Sequence, residues 1–196
     1  MRVSKSVWRG TNAIESWSWR GCDGNKAQVE IYAGAAGVEL FLNGKSLGKK
    51  RLKECKAVYK TRYAEGTLRA VAYDADGVVL GESTLYSAKG KFRITLKPEE
   101  VVIQAGDIVY VPVEIIGENG IVESNADEKL SVSVEGGTLL AFGSADPCTQ
   151  ERYDAGSFTA YQGRALAVVY APQPGQIKIS VSGEKLGTES VAVTAV

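Results

Sequence analysis

The 196-residue chain carries 23 basic and 23 acidic side chains, so its formal net charge is zero and it offers no electrostatic footprint for nucleic acid or an anionic membrane. Histidine is absent, and Cys22, Cys55 and Cys148 match no zinc spacing; this excludes Ser-His-Asp and Cys-His catalysis and histidine-based metal sites, and no cofactor is expected. Hydrophobic residues make up 44%, enough for a core, yet no apolar run approaches the roughly 20 residues of a membrane-spanning helix.

In chain order, residues 1–14 show no period and read as a lead-in segment. Glu15-Ser16-Trp17-Ser18-Trp19-Arg20 alternates polar with aromatic, which predicts a strand with both indoles on one face. After the turn cluster Gly21–Asn25, residues 28–32 predict a strand with Val29 and Ile31 inward. Val38, Leu40 and Leu42 then alternate up to Asn43-Gly44, the pair that best tolerates the positive φ of a two-residue hairpin turn; Leu47 lies on the return strand. Residues 57–63 predict a strand whose inner face bears Tyr59, Thr61 and Tyr63. Residues 67–73 form another, followed by a tight turn at Asp74–Gly77 and short strands from Val78 to Ser87. No stretch holds a helical apolar period with caps.

Ala88-Lys89-Gly90-Lys91 is short, polar and glycine-bearing, and reads as a domain junction. Beyond it Phe92, Ile94 and Leu96 alternate, and Lys97–Glu100 breaks the run. Residues 108–116 form the longest strand, with Val109, Val111, Val113 and Ile115 buried. Pro112 cannot donate to a ladder, so that strand is expected at an edge or with a bulge. Leu130, Val132 and Val134 make the next buried row, followed by residues 138–142, a polar loop over 143–156, and strands at 164–170, 176–182 and 188–195. The fold class is therefore all-β, as two tandem immunoglobulin-like antiparallel β-sandwiches over 15–89 and 90–196.

Chemistry is sparse. Asp74-Ala75-Asp76-Gly77 opens like a calcium loop, but the twelfth position is Leu85, which cannot ligate; a β-turn is the reading. Glu99-Glu100 are adjacent in a turn, and Asp146 and Glu151 share one loop, so neither pair offers the rigid separation that glycoside hydrolysis needs; no catalytic residue is assigned. Trp17 and Trp19, with Trp8 as a third indole, could stack on a sugar ring or fill a core. In the long loop Asp146, Arg152 and Tyr153 are the candidate contacts for carbohydrate or a partner. The odd cysteine count leaves at least one thiol free. Cys22 and Cys55 could pair, but free thiols in a reducing compartment are the expectation.

These residues together resemble the C-terminal accessory domains of bacterial β-galactosidases of glycoside hydrolase family 2. Trp17-Ser18-Trp19, the hairpin Val38–Gly48 and Gly66–Asp74 resemble the module that follows the catalytic barrel. Ser124–Asp127, Gly143–Pro147 and Gly163–Val169 resemble the last immunoglobulin-like module. One departure is Ser16, where many relatives carry histidine. Family catalysis uses two glutamates on a (β/α)8 barrel of ~250 residues, which is not here, so no catalytic glutamate carries over.

The resemblance implies a non-catalytic C-terminal piece of a longer enzyme, with Met1 added at its start. Its expected partner is the parent's catalytic barrel, with a second subunit and galactosides as further candidates. The chain would support the barrel, make subunit contacts, or send loop 143–156 toward the substrate cleft; the alternative is a carbohydrate-binding module. The parent's compartment is open. Free cysteines and the lack of a signal-like start favour the cytoplasm.

Overall fold

The computed structural model describes residues 13–196, so Trp8 and most of the lead-in segment lie outside the described residues. Those residues form fifteen strands and no helix, divided into one compact unit ending at Ser87 and another spanning Ala88–Val196.

In the first unit β1 (Lys26–Tyr32) pairs antiparallel with β4 (Lys56–Arg62). A second sheet has the order β3-β2-β5-β6, from β2 (Gly37–Leu42), β3 (Lys45–Arg51), β5 (Thr67–Tyr73) and β6 (Val79–Tyr86). Asn43 and Gly44 close the β2–β3 hairpin with φ of 50° and 79°, the backbone of a primed turn. The core is Trp17, Val38, Leu40, Ala57, Tyr59, Tyr63 and Leu68, with Val29 and Ile31 packed against it. Because β1–β4 has only two strands, much of the link between layers is polar. The Tyr59 hydroxyl reaches across from β4 to Val38 O (2.8 Å) and Gly48 O (3.0 Å), beside the β2–β3 bulge.

Residues 15–20 are not a strand, contrary to their alternation. Their backbone is satisfied by side chains rather than by a ladder: Trp19 N–H donates to the Tyr63 hydroxyl (3.1 Å), and Ser87 Oγ donates to Trp17 O. Ser18 is fully buried, so the two indoles do not share an outward face.

The second unit is a sandwich of two sheets. One has the order β11-β13-β9-β7, from β7 (Arg93–Leu96), β9 (Ile108–Ile116), β11 (Thr138–Gly143) and β13 (Arg164–Tyr170). The other, β12-β10-β14-β15-β8, is built from β8 (Val102–Ile103), β10 (Lys129–Glu135), β12 (Ser157–Thr159), β14 (Gly175–Gly183) and β15 (Gly187–Ala195). The core is aliphatic with three phenylalanines, Phe92, Phe142 and Phe158; Val111, Val113, Ile115, Leu130, Val169, Ile177, Ile179, Phe142 and Phe158 are among its most buried members.

Two expectations change here. The sandwich is not wholly antiparallel, because β8 pairs parallel with β15. Between β7 and β8 the chain follows β9 as far as Glu99, whose N–H donates to Tyr110 O (3.0 Å), and reaches the other sheet at Val101, whose O accepts the Thr194 N–H (2.9 Å); a two-residue strand is too short to show a period. Second, β9 is neither an edge nor bulged at Pro112, but lies between β13 and β7. Pro112 is accommodated because its missing donor faces the side where β7 has just ended. Lys97 N–H still donates to Pro112 O (3.0 Å), and one donor is all that the proline costs.

Candidate functional site

The polar loop between β11 and β12 carries three of the five predicted contact residues. Each is held by local bonds. Asp146 Oδ1 accepts the Cys148 N–H (2.9 Å), closing an Asx turn. Arg152 forks onto Asp154 through Nε (2.9 Å) and Nη2, and that pairing holds the Asp154 carboxyl below the usual carboxylate range. Both side chains are well exposed, so the pair shapes the loop more than it stabilises the fold.

Tyr153 is half exposed, yet one face of its ring stacks on buried Phe158, with centroids 4.9 Å apart at 21°. A Cβ at Gly143 would collide with that ring, so glycine is needed for tyrosine to lie over the sheet. The Phe142 N–H donates to Tyr153 O (2.7 Å) and ties the loop to β11.

Glu151 is the strongest anchor. Its Oε2 accepts the Thr159 N–H (2.9 Å) and its Oε1 lies 3.3 Å from Lys129 Nζ. The backbone donor at Thr159 is the main reason its carboxyl titrates below the usual range. The carboxylate thus joins the loop to β12 and the start of β10. Glycosidase chemistry wants one carboxyl raised and a second at fixed distance. In this loop Asp146, Glu151 and Asp154 are each bound to neighbours, and the Glu151 and Asp154 carboxyls are held below the usual range. Among the described residues no trio of Cys, Asp or Glu side chains is grouped to hold a metal.

Trp17 and Trp19 belong to the first unit. Trp17 is 4% exposed, tilted at 52° against Tyr63 with centroids 5.0 Å apart, and its Nε1 donates to Ala64 O (3.0 Å). Trp19 is half-buried against the same core. A flat sugar-stacking platform from this pair is therefore not supported: the indole that would supply the most area faces inward. The three cysteines are free thiols.

One open groove of about 560 Å³ lies beside the β2–β3 hairpin, with Lys49, Lys50 and Arg51 on one wall and Asp74 on the other. Its two lysines are engaged. Lys49 Nζ sits 3.6 Å from the Tyr73 ring centroid, and Lys50 Nζ donates to Val58 O (2.7 Å). At Asp74–Gly77 the Asp74 carboxylate accepts the N–H groups of Asp76 and Val78, which makes that segment a tight turn.

Sequence reasoning missed one feature, the outward face of the β11-β13-β9-β7 sheet. Its central strands are apolar at both parities, so Ile108 and Tyr110 project outward, as does Leu166, while their neighbours fill the core. An antiparallel sheet with one wet face alternates apolar with polar; a continuous run marks a sheet covered on both sides. That signal stands in residues 164–170 and was legible there.

Comparison with known proteins gives the chain a family context. The family model described as glycoside hydrolase family 2 C-terminal domain 5 matches residues 93–192, and a domain of unknown function (DUF4982) matches residues 24–81. Beta-galactosidase BoGH2A of Bacteroides ovatus is 28% identical over 186 residues, covering 91% of this chain and 22% of its own length. A crystal structure of a glycosyl hydrolase family 2 member from Bacteroides cellulosilyticus is 32% identical with a TM-score of 0.85, over 93% of this chain and 24% of that one. A beta-glycosidase structure from Bacteroides vulgatus shares the fold, with a TM-score of 0.78 at 22% identity, over 93% of this chain and 24% of that one. The chain thus spans under a quarter of the length of these relatives.

Proposed function

The chain belongs to the glycoside hydrolase family 2 C-terminal domain 5 family, and on that premise we propose that it is a non-catalytic accessory part of a longer β-galactosidase-like glycosidase. Its role is structural: it supports the catalytic domain, takes part in contacts between subunits, or holds its long loop toward the substrate cleft. The observation that carries this reading is the use of the loop carboxylates. Glu151 is bound by the Thr159 amide and faces Lys129, and Asp154 is gripped by Arg152, so both are kept ionised by the fold itself. A general acid for glycoside cleavage needs the opposite environment, one that favours the protonated form.

Similarity to a glycosyl hydrolase family 2 member and to a β-galactosidase supports glycosidase chemistry for the longer enzyme. Two assays test the reading. The 196-residue chain alone is expected to release no nitrophenol from a chromogenic galactoside. Deleting residues 15–196 from the longer enzyme is expected to lower its thermal stability or its kcat/KM. Hydrolysis by the isolated chain, or a deletion without effect on stability, assembly and turnover, would overturn the proposal.

A further inference from the structure

The two outward faces of the second unit differ in kind. On the β12-β10-β14-β15-β8 sheet the outward residues include Ser131, Ser133, Lys178, Ser180 and Thr194, and Ser180 and Ser190 are hydrogen-bonded across the strands at 2.9 Å. On the β11-β13-β9-β7 sheet, register places three apolar pairs directly opposite one another: Pro112 with Leu166, Tyr110 with Val168, and Ile108 with Tyr170. Leu140, the exposed residue at the β11 bulge, lies alongside. Ile108 and Tyr110 are each 44% exposed, Leu140 45% and Leu166 37%.

Charge on this face lies at one end and along the flank that follows β7, where exposed Lys97 and Glu99 donate their N–H groups to Pro112 O and Tyr110 O (3.0 Å each). At the end, Glu114 accepts from Lys97 Nζ (2.6 Å) and faces Arg164 Nε (3.5 Å). The paired strands β9 and β13 thus carry an aromatic and aliphatic centre with charge at its margins, the composition of an interface rather than of a solvated face.

We propose that this face seats a flat apolar surface from another domain of the longer polypeptide, making the β11-β13-β9-β7 sheet the middle layer of three. The inference rests on the reading that the chain is one part of a longer glycosidase, and it names the surface through which that part is joined. Area selects the occupant. The exposed apolar portions of these seven side chains sum to on the order of 400 Å². Two copies face to face would bury roughly 800 Å² in total, the scale of lattice contacts and short of the ~1,200–2,000 Å² of stable complexes. A tethered domain needs no such area, because a short linker supplies an effective concentration of about millimolar, and ~600–1,500 Å² is usual between domains. Relatives four times longer leave ample chain to supply it.

Hydroxyl-radical footprinting of Ile108, Tyr110 and Leu166 tests the proposal in the longer polypeptide and in the 196-residue chain. Oxidation of the three is expected to fall at least fivefold in the longer polypeptide. Leu166→Lys is expected to restore oxidation of Tyr110 there, while shifting the Tm of the 196-residue chain by no more than about 2 °C. Equal oxidation in both proteins would overturn the proposal. So would a 196-residue chain that sediments as a dimer at ~10 μM and becomes monomeric on Tyr110→Lys, which would make a second copy the occupant. Galactosidase activity of the longer polypeptide is read separately: its absence refutes the glycosidase reading and leaves the footprint to decide the interface.

Discussion

The two units join their layers by different means. The second does so by area: its core is a broad block of valine, isoleucine, leucine and phenylalanine between sheets of four and five strands. The first has a two-stranded sheet facing a four-stranded one, and its core is small. It compensates with aromatics that carry a polar atom. Tyr59 bonds two backbone carbonyls on the facing hairpin, and Trp17 bonds Ala64 O. Ser87 contacts Tyr63 Oη, Gly66 N–H and Trp17 O at once. Burial without direction favours many packings, whereas a hydrogen bond between layers favours one. A unit short of apolar area therefore gains its specificity from these bonds.

Substitutions in each core can break that contrast. The largest effect is expected for Phe142→Ala in the second unit, about 3–5 kcal/mol of lost stability in urea unfolding, because a wholly buried ring leaves a cavity. The tryptophan signal comes from the first unit, so fluorescence and far-UV circular dichroism separate the two transitions. If both shift together, the units unfold as one and the contrast fails.

Ser87→Ala should come next, at about 1–3 kcal/mol in the fluorescence-detected transition, since several buried polar groups lose a partner for the removal of one oxygen. Tyr59→Phe is the matched control at about 1 kcal/mol, for it deletes a hydroxyl while keeping the ring. A Ser87→Ala loss no larger than a typical surface substitution would mean that area, not bonding, holds the first unit too.

The smallest effect is expected at Glu151, and it should depend on pH. Its folded-state pKa lies below the unfolded value of about 4.3, so its contribution is present above that value and is lost as pH falls through the folded one. Glu151→Gln should therefore speed amide exchange at Thr159 at pH 7, and match the parent chain at low pH. A difference that persists unchanged at low pH would show that the anchor is not the ionised carboxylate.

Much of this fold was legible because its signals are local. Asn43-Gly44 needs only its own backbone to form the turn, and the buried rows of β9, β10 and β13 follow from period two. What was not legible depends on partners distant in sequence. Trp17-Ser18-Trp19 has a strand's alternation, but Tyr63 and Ser87 capture its backbone groups from far along the chain. Pro112 looked like an edge marker because nothing nearby tells where β7 stops. The candidate loop was recognisable by its polarity and length, but which carboxylates it uses internally is set by β10 and β12. The apolar outward face was visible in composition and overlooked, because a row of buried alternate residues was enough to explain each strand.

The parallel pairing of β8 with β15 has a consequence for synthesis. Val101 O and Ile103 O accept the amides of Thr194 and Val196, so one of the earliest segments of the unit is hydrogen-bonded to its very last. On the ribosome, that stretch waits with an open flank until β15 has left the exit tunnel, and closure of so distant a contact is slow. A nascent chain stalled before β15 emerges would present bare backbone along β8 and β14, a template for pairing with its neighbours on a polysome.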